Sequence, residues 1–324
     1  MWLPESGVAN RGMASAIEHH LGAYVLGARP VAVQALAARF DRNVARNEMA
    51  KGLVDIACHA LAARQLGVPV HALIGGAAVD RIPLCGLVPL AAPDTVAEIC
   101  AGYQRSGYGT ARIKLGTGPD ADRDVITAVR ERFGPDLRLR VDYNQAYSAP
   151  QAIRALRLLE PLGIDAAEQP LPLGDLVGMV EVARRTTIPL FLHEGFFALG
   201  DLVALIDAGG CGVVGINGER PGGLTGALRA IDYAAARGMG TIIHNQPLGI
   251  GTAMHAHLAA ARFDRLGHDV ELAGDVMFDH HLVHERYHVE KGNLVLPGGP
   301  GWGIDVDRDA LDDHLVAPPT VLSA

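Results

Sequence analysis

The sequence is poor in cysteine, which excludes the protein classes that depend on it. Its 324 residues include four cysteines, at positions 58, 85, 100 and 211. No two of them have the C-x-x-C spacing of a zinc knuckle or a redox motif, and they do not form the framework of a small disulfide-rich domain. We therefore expect a reduced protein of the cytoplasm.

Excess positive charge and long apolar runs are also lacking. Lysine and arginine number 28 against 36 acidic residues, which gives a net charge of −8 and no basic stripe for nucleic acid. No uncharged apolar run is long enough to span a bilayer, and the first residues do not have the basic start of a signal peptide. We expect neither a nucleic acid nor a membrane as partner.

Hydrophobic residues make up 49% of the chain, enough for a large core. Apolar periodicity predicts helices over residues 14–26, 31–44 and 47–66, after which short apolar strands alternate with amphipathic helices. The predicted strands are residues 82–87, 111–115, 137–143, 166–169, 189–193, 212–216, 241–244 and 266–271. The predicted helices between them include 95–104, 121–133, 150–162, 176–185 and 224–237.

Eight strands separated by helices predict an α/β fold with a parallel (β/α) barrel. An open doubly wound sheet is the alternative, and the lack of a Gly-rich nucleotide fingerprint after the first strand counts against it. We expect a helical N-terminal part at 1–79, the barrel at 80–277, and a segment at 278–324 that leaves the barrel and packs back on the N-terminal part.

Polar residues stand at the ends of six successive predicted strands. They are Lys114, Asp142, Glu168, Glu194, Asn217 and His244, and the steps between them are 28, 26, 26, 23 and 27 residues. Because barrel strands all end on one face, these side chains should form a ring there. Three converging carboxylates repel each other unless a cation lies between them, and oxygen ligands favour Mg²⁺. Each acid could instead cap a helix, but the regular spacing favours a site.

At these residues the sequence resembles the mandelate racemase and muconate lactonizing branch of the enolase superfamily. The segments that carry the resemblance are Arg112-Ile113-Lys114, Asp142-Tyr143-Asn144, Glu168-Gln169-Pro170, Glu194 after Ile188-Pro189-Leu190-Phe191-Leu192, Gly222-Gly223-Leu224-Thr225-Gly226, Val44-Ala45-Arg46-Asn47, Leu73-Ile74-Gly75-Gly76 and Gly298-Gly299-Pro300-Gly301-Trp302-Gly303. The resemblance implies a modified TIM barrel with a smaller α+β capping domain formed from both termini. It also implies a Mg²⁺-dependent enzyme that removes the proton alpha to a substrate carboxylate and holds the resulting enediolate on the metal.

The resemblance also implies roles for single residues. The positions that match the metal ligands are Asp142, Glu168 and Glu194. Lys114 matches the base, the second lysine of the family's K-x-K motif, and His244 matches a histidine that would act as the opposing acid. Arg112 and Asn144 are expected to bind the substrate, and Arg112 would orient its carboxylate.

Four features depart from the family pattern. Arg112 stands where the first lysine of the motif is expected, and arginine cannot act as a base. Asn217 stands at a catalytic position where lactonizing relatives have lysine and racemase relatives have an aspartate that pairs with the histidine. His193 precedes Glu194 where lactonizing relatives have aspartate, so the metal ligand could shift by one residue. Nothing before Ala14 can supply the antiparallel sheet of the family's cap.

Dehydration of a hydroxy acid or sugar acid is the first predicted reaction, because one base and one histidine acid suit the removal of a proton and a hydroxyl group. Racemisation or epimerisation is second, and muconate-type cycloisomerisation is third because the lysine after the sixth strand is missing. Two other classes remain open: a glycosidase that uses Glu168 and Glu194, and a non-catalytic metal or ligand binder. We also expect a homo-oligomer that covers an exposed apolar edge near residues 294–296.

Overall fold

The computed structural model describes residues 9–245, 248–272 and 280–323, and its first part is helical. The helices there are α1 Asn10–Ala16, α2 Gly22–Val25, α3 Val33–Asn43, α4 Glu48–Leu66 and α5 Val70–Leu73, with a π-helical turn over Ile17–Leu21 and a 3₁₀ turn over Pro30–Ala32. The three helices predicted here are confirmed. Helix α4 ends at Leu66 because Gly67 adopts the left-handed conformation (φ 69°), which glycine adopts at little cost.

Two sheets contain all the strands of the described residues. The strands are β1 Arg81–Pro83, β2 Cys85–Val88, β3 Thr110–Lys114, β4 Arg138–Asp142, β5 Ile164–Glu168, β6 Leu190–Leu192, β7 Val213–Ile216, β8 Gly240–Asn245, β9 Glu271–Leu272, β10 Val289–Glu290 and β11 Asn293–Val295. Strands β2 to β9 form one parallel sheet in sequence order. The sheet is closed by Cys85 N–H, which donates to Val270 O (2.8 Å), and by Val270 N–H, which donates to Pro83 O (2.9 Å). The predicted barrel is confirmed, and the open sheet is wrong.

Helices cover the outside of the barrel. They are α6 Pro93–Arg105, α7 Pro119–Phe133, α8 Ala149–Leu159, α9 Leu176–Arg185, α10 Leu199–Ala208, α11 Gly223–Ala236 and α12 Gly249–Leu266, and a short α13 Arg308–Asp313 follows near the end of the chain. Helix α8 begins with a capping box between Ser148 and Gln151, and α9 begins where Asp175 accepts a hydrogen bond from Gly178 N–H (2.8 Å). No single described helix is long and apolar enough to cross a membrane. The segments Asn10–Val25 and Pro30–Asn43 reach that length and hydropathy only when they are taken together, and the chain bends by 109° between them.

Two strand predictions need correction. The run at 82–87 is two strands rather than one, because β1 pairs with β11 while β2 belongs to the barrel. Pro83, the last residue of β1, has no N–H to continue a ladder. The strand predicted at 266–271 is wrong over most of its length. Helix α12 extends to Leu266, Gly267 ends it in the left-handed conformation, and β9 begins only at Glu271.

The two ends of the chain contact each other. Strand β11 pairs with β1 and β10 in a small antiparallel sheet, and Val70 N–H donates to Gly301 O (2.9 Å). Leu294 is fully buried in that sheet, so the exposed apolar edge expected near residues 294–296 is wrong for Leu294. The described residues before Arg81 contain no strand element. The domain limits stay a prediction, and the one at 277/278 lies outside the described residues.

A close contact between α4 and α11 fixes the loop that follows β7. Gly52 of α4 lies so near the backbone of Glu219 and Gly223 that a Cβ there would overlap with both. Asp55, one turn further, accepts hydrogen bonds from Thr225 N–H (3.1 Å) and Thr225 Oγ–H (2.5 Å). The N-terminal helices therefore support the barrel at the end where the strands finish.

Candidate active site

The strand ends bring the predicted residues together. The barrel register places Lys114 beside Asp142 and Asp142 beside Glu168, and His244 beside Glu271. Most of the ring is buried; the side chain of Lys114 is 23% exposed. We divide the site into a lysine half (Lys114, Asp142, Asn144) and a histidine half. The histidine half consists of Glu168, His193, Glu194, His244 and Glu271.

The lysine half is a fully paired cluster. Lys114 Nζ donates to Asp142 Oδ2 (2.5 Å) and to Asn144 Oδ1. The other oxygen of Asp142, Oδ1, accepts from Asn144 N–H (2.9 Å). The exposed tip of Lys114 therefore stands at the rim, held on both sides by oxygen acceptors.

Arg112 joins the two halves beneath the rim. Its Nη1 donates to Asp142 Oδ2 and to Glu168 Oε2 (2.9 Å), and its Nη2 lies 2.7 Å from Glu271 Oε1. The guanidinium is 1% exposed and engaged by three carboxylates. The predicted role of Arg112 in orienting a substrate carboxylate stays a prediction; in this conformation the guanidinium binds the protein's own carboxylates.

His193 connects the carboxylates of the histidine half. Its Nδ1 lies 3.0 Å from Glu168 Oε1 and 3.2 Å from Glu194 Oε2. The other oxygen of Glu194 accepts from Gln145 Nε2 (3.2 Å). Glu168 and Glu194 thus converge on one point, with an imidazole nitrogen between them.

His244 lies between His193 and a carboxylate that the sequence analysis missed. Its Nδ1 is 2.8 Å from His193 Nε2, and its Nε2 is 3.0 Å from Glu271 Oε1. The sequence held a signal for Glu271, because the 27 residues from His244 repeat the spacing of the ring. The predicted eighth strand, 266–271, ended at this residue, but the predicted ring stopped at the end of the seventh strand.

Asn217 lies beside the ring rather than between the histidines. Its Oδ1 accepts from Arg220 Nε (2.8 Å), and the guanidinium of Arg220 is 5.7 Å from the ring centre of Phe197. His244 has its contacts to His193 and Glu271 instead. The catalytic role of Asn217 stays a prediction.

Burial and mutual charge shift the pKa values of the ring. Burial and the charge of Glu168 raise the pKa of Asp142 to about 6, although the positive charges of Arg112 and Lys114 act to lower it. Burial would raise the pKa of Glu168 too, but Arg112, His244 and His193 lower it well below its usual range. Burial lowers the pKa of His193, yet Glu168 and Glu194 reverse this and raise it. Burial and the charge of His193 lower the pKa of His244 far below its usual value.

The histidine half fits a divalent cation. Glu168 Oε1 and Glu194 Oε2 are buried and accept no hydrogen bond of good geometry. Ligand atoms of Glu168, His193 and His244 lie within 4.8 Å of one another, close enough to hold one ion. The contacting carboxylates of the ring, Asp142, Glu168, Glu194 and Glu271, also outnumber the permanent cations Arg112, Lys114 and Arg140. A divalent ion would leave the positive charge that attracts a carboxylate substrate.

Comparisons with known proteins agree with this geometry. A family model described as mandelate racemase/muconate lactonizing enzyme, N-terminal domain, matches residues 3–75, and one described as enolase C-terminal domain-like matches residues 94–310. An N-succinyl-L-Arg/Lys racemase of Bacillus cereus is 28% identical over 93% of this chain and 81% of its own length. Muconate cycloisomerase 1 of Acinetobacter baylyi is 28% identical over 84% of this chain and 74% of its own length.

A solved structure shows the same fold over nearly the whole chain. It is a mandelate racemase/muconate lactonizing family protein from Azoarcus sp. EbN1, with a TM-score of 0.89 and 29% identity. The similarity covers 97% of this chain and 87% of that protein.

Proposed function

Because this chain belongs to the mandelate racemase/muconate lactonizing enzyme family of the enolase superfamily, we propose that it removes the proton alpha to the carboxylate of a small organic acid. The relatives described above are named as a racemase and a cycloisomerase. The observation that carries the proposal is the arrangement of Lys114 and His244. They stand on opposite sides of the buried carboxylates at the ends of β4 and β5.

Lys114 is the proposed base. Its side chain is 23% exposed and lies at the rim, where a substrate can reach it. Asp142 and Asn144 hold its Nζ in place from two directions. A base must lie within hydrogen-bond reach of the proton that it removes, and a positioned lysine meets that requirement once it is deprotonated.

His244 is the proposed acid on the other side. It is 5% exposed, and its two ring nitrogens face His193 and Glu271. Nε2 of His193 lies 2.8 Å from Nδ1 of His244, and this contact fixes the orientation of the His244 ring. The two contacts hold in place the imidazole that would give the proton on this side of the site.

The substrate carboxylate needs positive charge near the reacting carbon. A divalent ion would supply that charge, as a Lewis acid that stabilises the electrons left by the departing proton. In this chain Glu168 and Glu194 are the buried carboxylates with unpaired oxygen atoms that would hold it. Asp142 is the third ligand predicted from the sequence, and Mg²⁺ is the ion predicted with it.

Dehydration of a hydroxy acid or sugar acid is the reaction that we propose first. The two sides of the site are chemically unequal, with a primary amine on one side and an imidazole pair of opposite pKa shifts on the other. Such a pair suits an enzyme that takes a proton on one side and gives one to a leaving hydroxyl group on the other. The second candidate is epimerisation of an acylated amino acid, which the name of the Bacillus cereus relative favours.

Proton exchange in D₂O tests the proposal. The protein would be incubated with Mg²⁺ or Mn²⁺ and a panel of hydroxy acids, sugar acids, N-acyl amino acids and dipeptides, and the substrates followed by ¹H NMR. We expect metal-dependent loss of the alpha-proton signal. Formation of a 2-keto acid would identify a dehydratase, and inversion with deuterium incorporation would identify an epimerase.

The same experiment separates the other classes. Metal binding without exchange on any acid would support the non-catalytic binder and contradict our proposal. Hydrolysis of a glycoside without a metal would support the glycosidase, which leaves Lys114 and Asp142 unexplained.

We further propose that the chain works in the cytoplasm, since its four cysteines are free thiols. We also propose that it forms a homo-oligomer, because Leu176 and Val177 are exposed apolar side chains on α9.

A further inference from the structure

We infer that His193 is itself a ligand of the divalent ion, so that this site binds nitrogen-preferring ions such as Mn²⁺, Co²⁺, Ni²⁺ or Zn²⁺ more tightly than Mg²⁺. The inference rests on the proposed function, which places a divalent ion among the buried carboxylates. It changes the predicted ligand set from three carboxylates to two carboxylates and one imidazole.

The first argument is the convergence of three atoms. Nδ1 of His193 lies 3.0 Å from Glu168 Oε1 and 3.2 Å from Glu194 Oε2. One nitrogen carries at most one proton, so the two carboxylate oxygens would have to share a single N–H. Both oxygens are buried and lack a hydrogen bond of good geometry. A cation bound to all three atoms would satisfy each of them.

The second argument is the contact on the other side of the His193 ring. A metal-bound histidine characteristically donates its second ring N–H to a neighbouring acceptor, which fixes the tautomer. Nε2 of His193 lies 2.8 Å from Nδ1 of His244, and His244 Nε2 in turn lies 3.0 Å from Glu271 Oε1. With Nδ1 of His193 free to bind the ion, Nε2–H donates to His244, and His244 then donates to Glu271.

The third argument concerns Asp142, the ligand that the sequence predicts. Its Oδ2 accepts from Lys114 and Arg112, and its Oδ1 accepts from Asn144 N–H. Asp142 would have to give up these partners to bind a metal ion. His193, Glu168 and Glu194 require no such exchange.

The donor set then decides the ion. Mg²⁺ prefers oxygen ligands in a strict octahedron, whereas imidazole nitrogen suits Zn²⁺, Ni²⁺ and other transition ions. A ligand set of two carboxylates and one imidazole should therefore discriminate against Mg²⁺. An aspartate at position 193 would restore an all-oxygen set.

Two measurements on the full chain test this inference. Calorimetric titration gives the affinities for Zn²⁺, Mn²⁺ and Mg²⁺, and pulsed electron paramagnetic resonance of the Mn²⁺-loaded protein detects nitrogen bound to the ion. The variant is His193→Asp. The matched control is His268→Asp, the same change at a histidine near the first residue of β8, at the opposite end of the barrel.

We expect nitrogen coupling in the wild-type protein and in His268→Asp, and its loss in His193→Asp. The ratio of Zn²⁺ to Mg²⁺ affinity should fall about tenfold or more in His193→Asp, given that even outer partners of metal ligands change affinity by that factor. Metal binding without nitrogen coupling in the wild type, or coupling that persists in His193→Asp, overturns the inference and leaves the proposed function standing. No binding of any of the three ions overturns both.

Discussion

In the lysine half of the site both carboxylate oxygens of Asp142 accept hydrogen bonds, whereas in the histidine half Glu168 and Glu194 each keep an oxygen without one. Both halves are built from the same kind of residue at the ends of neighbouring strands. The difference comes from their cations. Lys114 and Arg112 pair with Asp142, while the cation nearest Glu194 is an imidazole that can lose its charge.

This difference indicates a division of labour. A paired cluster at the rim holds an amine in a fixed position, which is what a base requires. An incompletely paired cluster beneath it costs folding free energy, because buried unsatisfied oxygens are unfavourable. Such a cost is typical of a binding site, where the ligand supplies the missing charge.

The largest effect that we predict follows the removal of the amine from the lysine half. Lys114→Ala should slow alpha-proton exchange about 10³-fold, the scale of general-base catalysis. Lys114→Arg is the matched variant, since a guanidinium keeps the charge beside Asp142 but does not deprotonate. It should lose exchange to a similar extent while the protein stays folded. If Lys114→Ala keeps full exchange and His244→Ala loses it, the roles of base and acid are reversed.

The next effect tests the cation that joins the halves. Arg112→Met leaves three buried carboxylates without their shared partner and should lower the free energy of unfolding by about 3–5 kcal/mol. Urea denaturation measures the change. Arg138→Met is the control, because Arg138 pairs with Asp165 at 2.7 Å but is 44% exposed, and it should cost less than about 1 kcal/mol. Equal losses would contradict the structural role given to Arg112.

Removal of the metal ion from the histidine half should lower the stability of the protein, by less than the loss expected for Arg112→Met. An ion present at a hundred times its dissociation constant stabilises the folded state by about 2.7 kcal/mol. Chelation should remove that stabilisation from the wild-type protein and lower its Tm. Glu194→Gln should be insensitive to chelation because it lacks the binding carboxylate, while Asp165→Asn at the far end of the barrel should respond like the wild type. A chelator effect that persists in Glu194→Gln would place the ion elsewhere.

The barrel and most of the ring could be predicted from the sequence, because strand ends repeat at nearly constant spacing and the repeat fixes which residues share a face. Glu271 ends the predicted eighth strand and repeats the spacing of the ring, so its place in the ring could also have been predicted. The apolar pattern failed instead for residues 266–270, because α12 extends to Leu266 and β9 begins only at Glu271. The contact between His193 and His244 could not be predicted. The contact joins two residues that are 51 positions apart in the sequence. Apolar periodicity predicts which residues face the centre of the ring, but it does not predict which of those side chains touch each other.

The smallest effect that we predict concerns Asn217, and it decides which residue supports His244. The resemblance described above implies that the partner of this histidine stands at the end of the strand that corresponds to β7. Asn217 is the residue that follows β7 in this chain. In the structure Asn217 binds Arg220 Nε, and His244 contacts His193. An amide cannot relay a proton, so Asn217→Ala should lower the exchange rate less than about tenfold, which corresponds to less than about 1.4 kcal/mol in the barrier.

His193→Ala, by contrast, removes the contact to His244 and should lower exchange far more than Asn217→Ala does. Exchange rates of both variants, measured on the same substrate at saturating metal, test the ranking. His255→Ala serves as a structural control on α12, because His255 Nε2 accepts from Gly218 N–H (2.9 Å), next to Asn217. If Asn217→Ala lowers the exchange rate as much as His193→Ala does, Asn217 rather than His193 supports His244 as the acid. Asn217 would then belong to the histidine half.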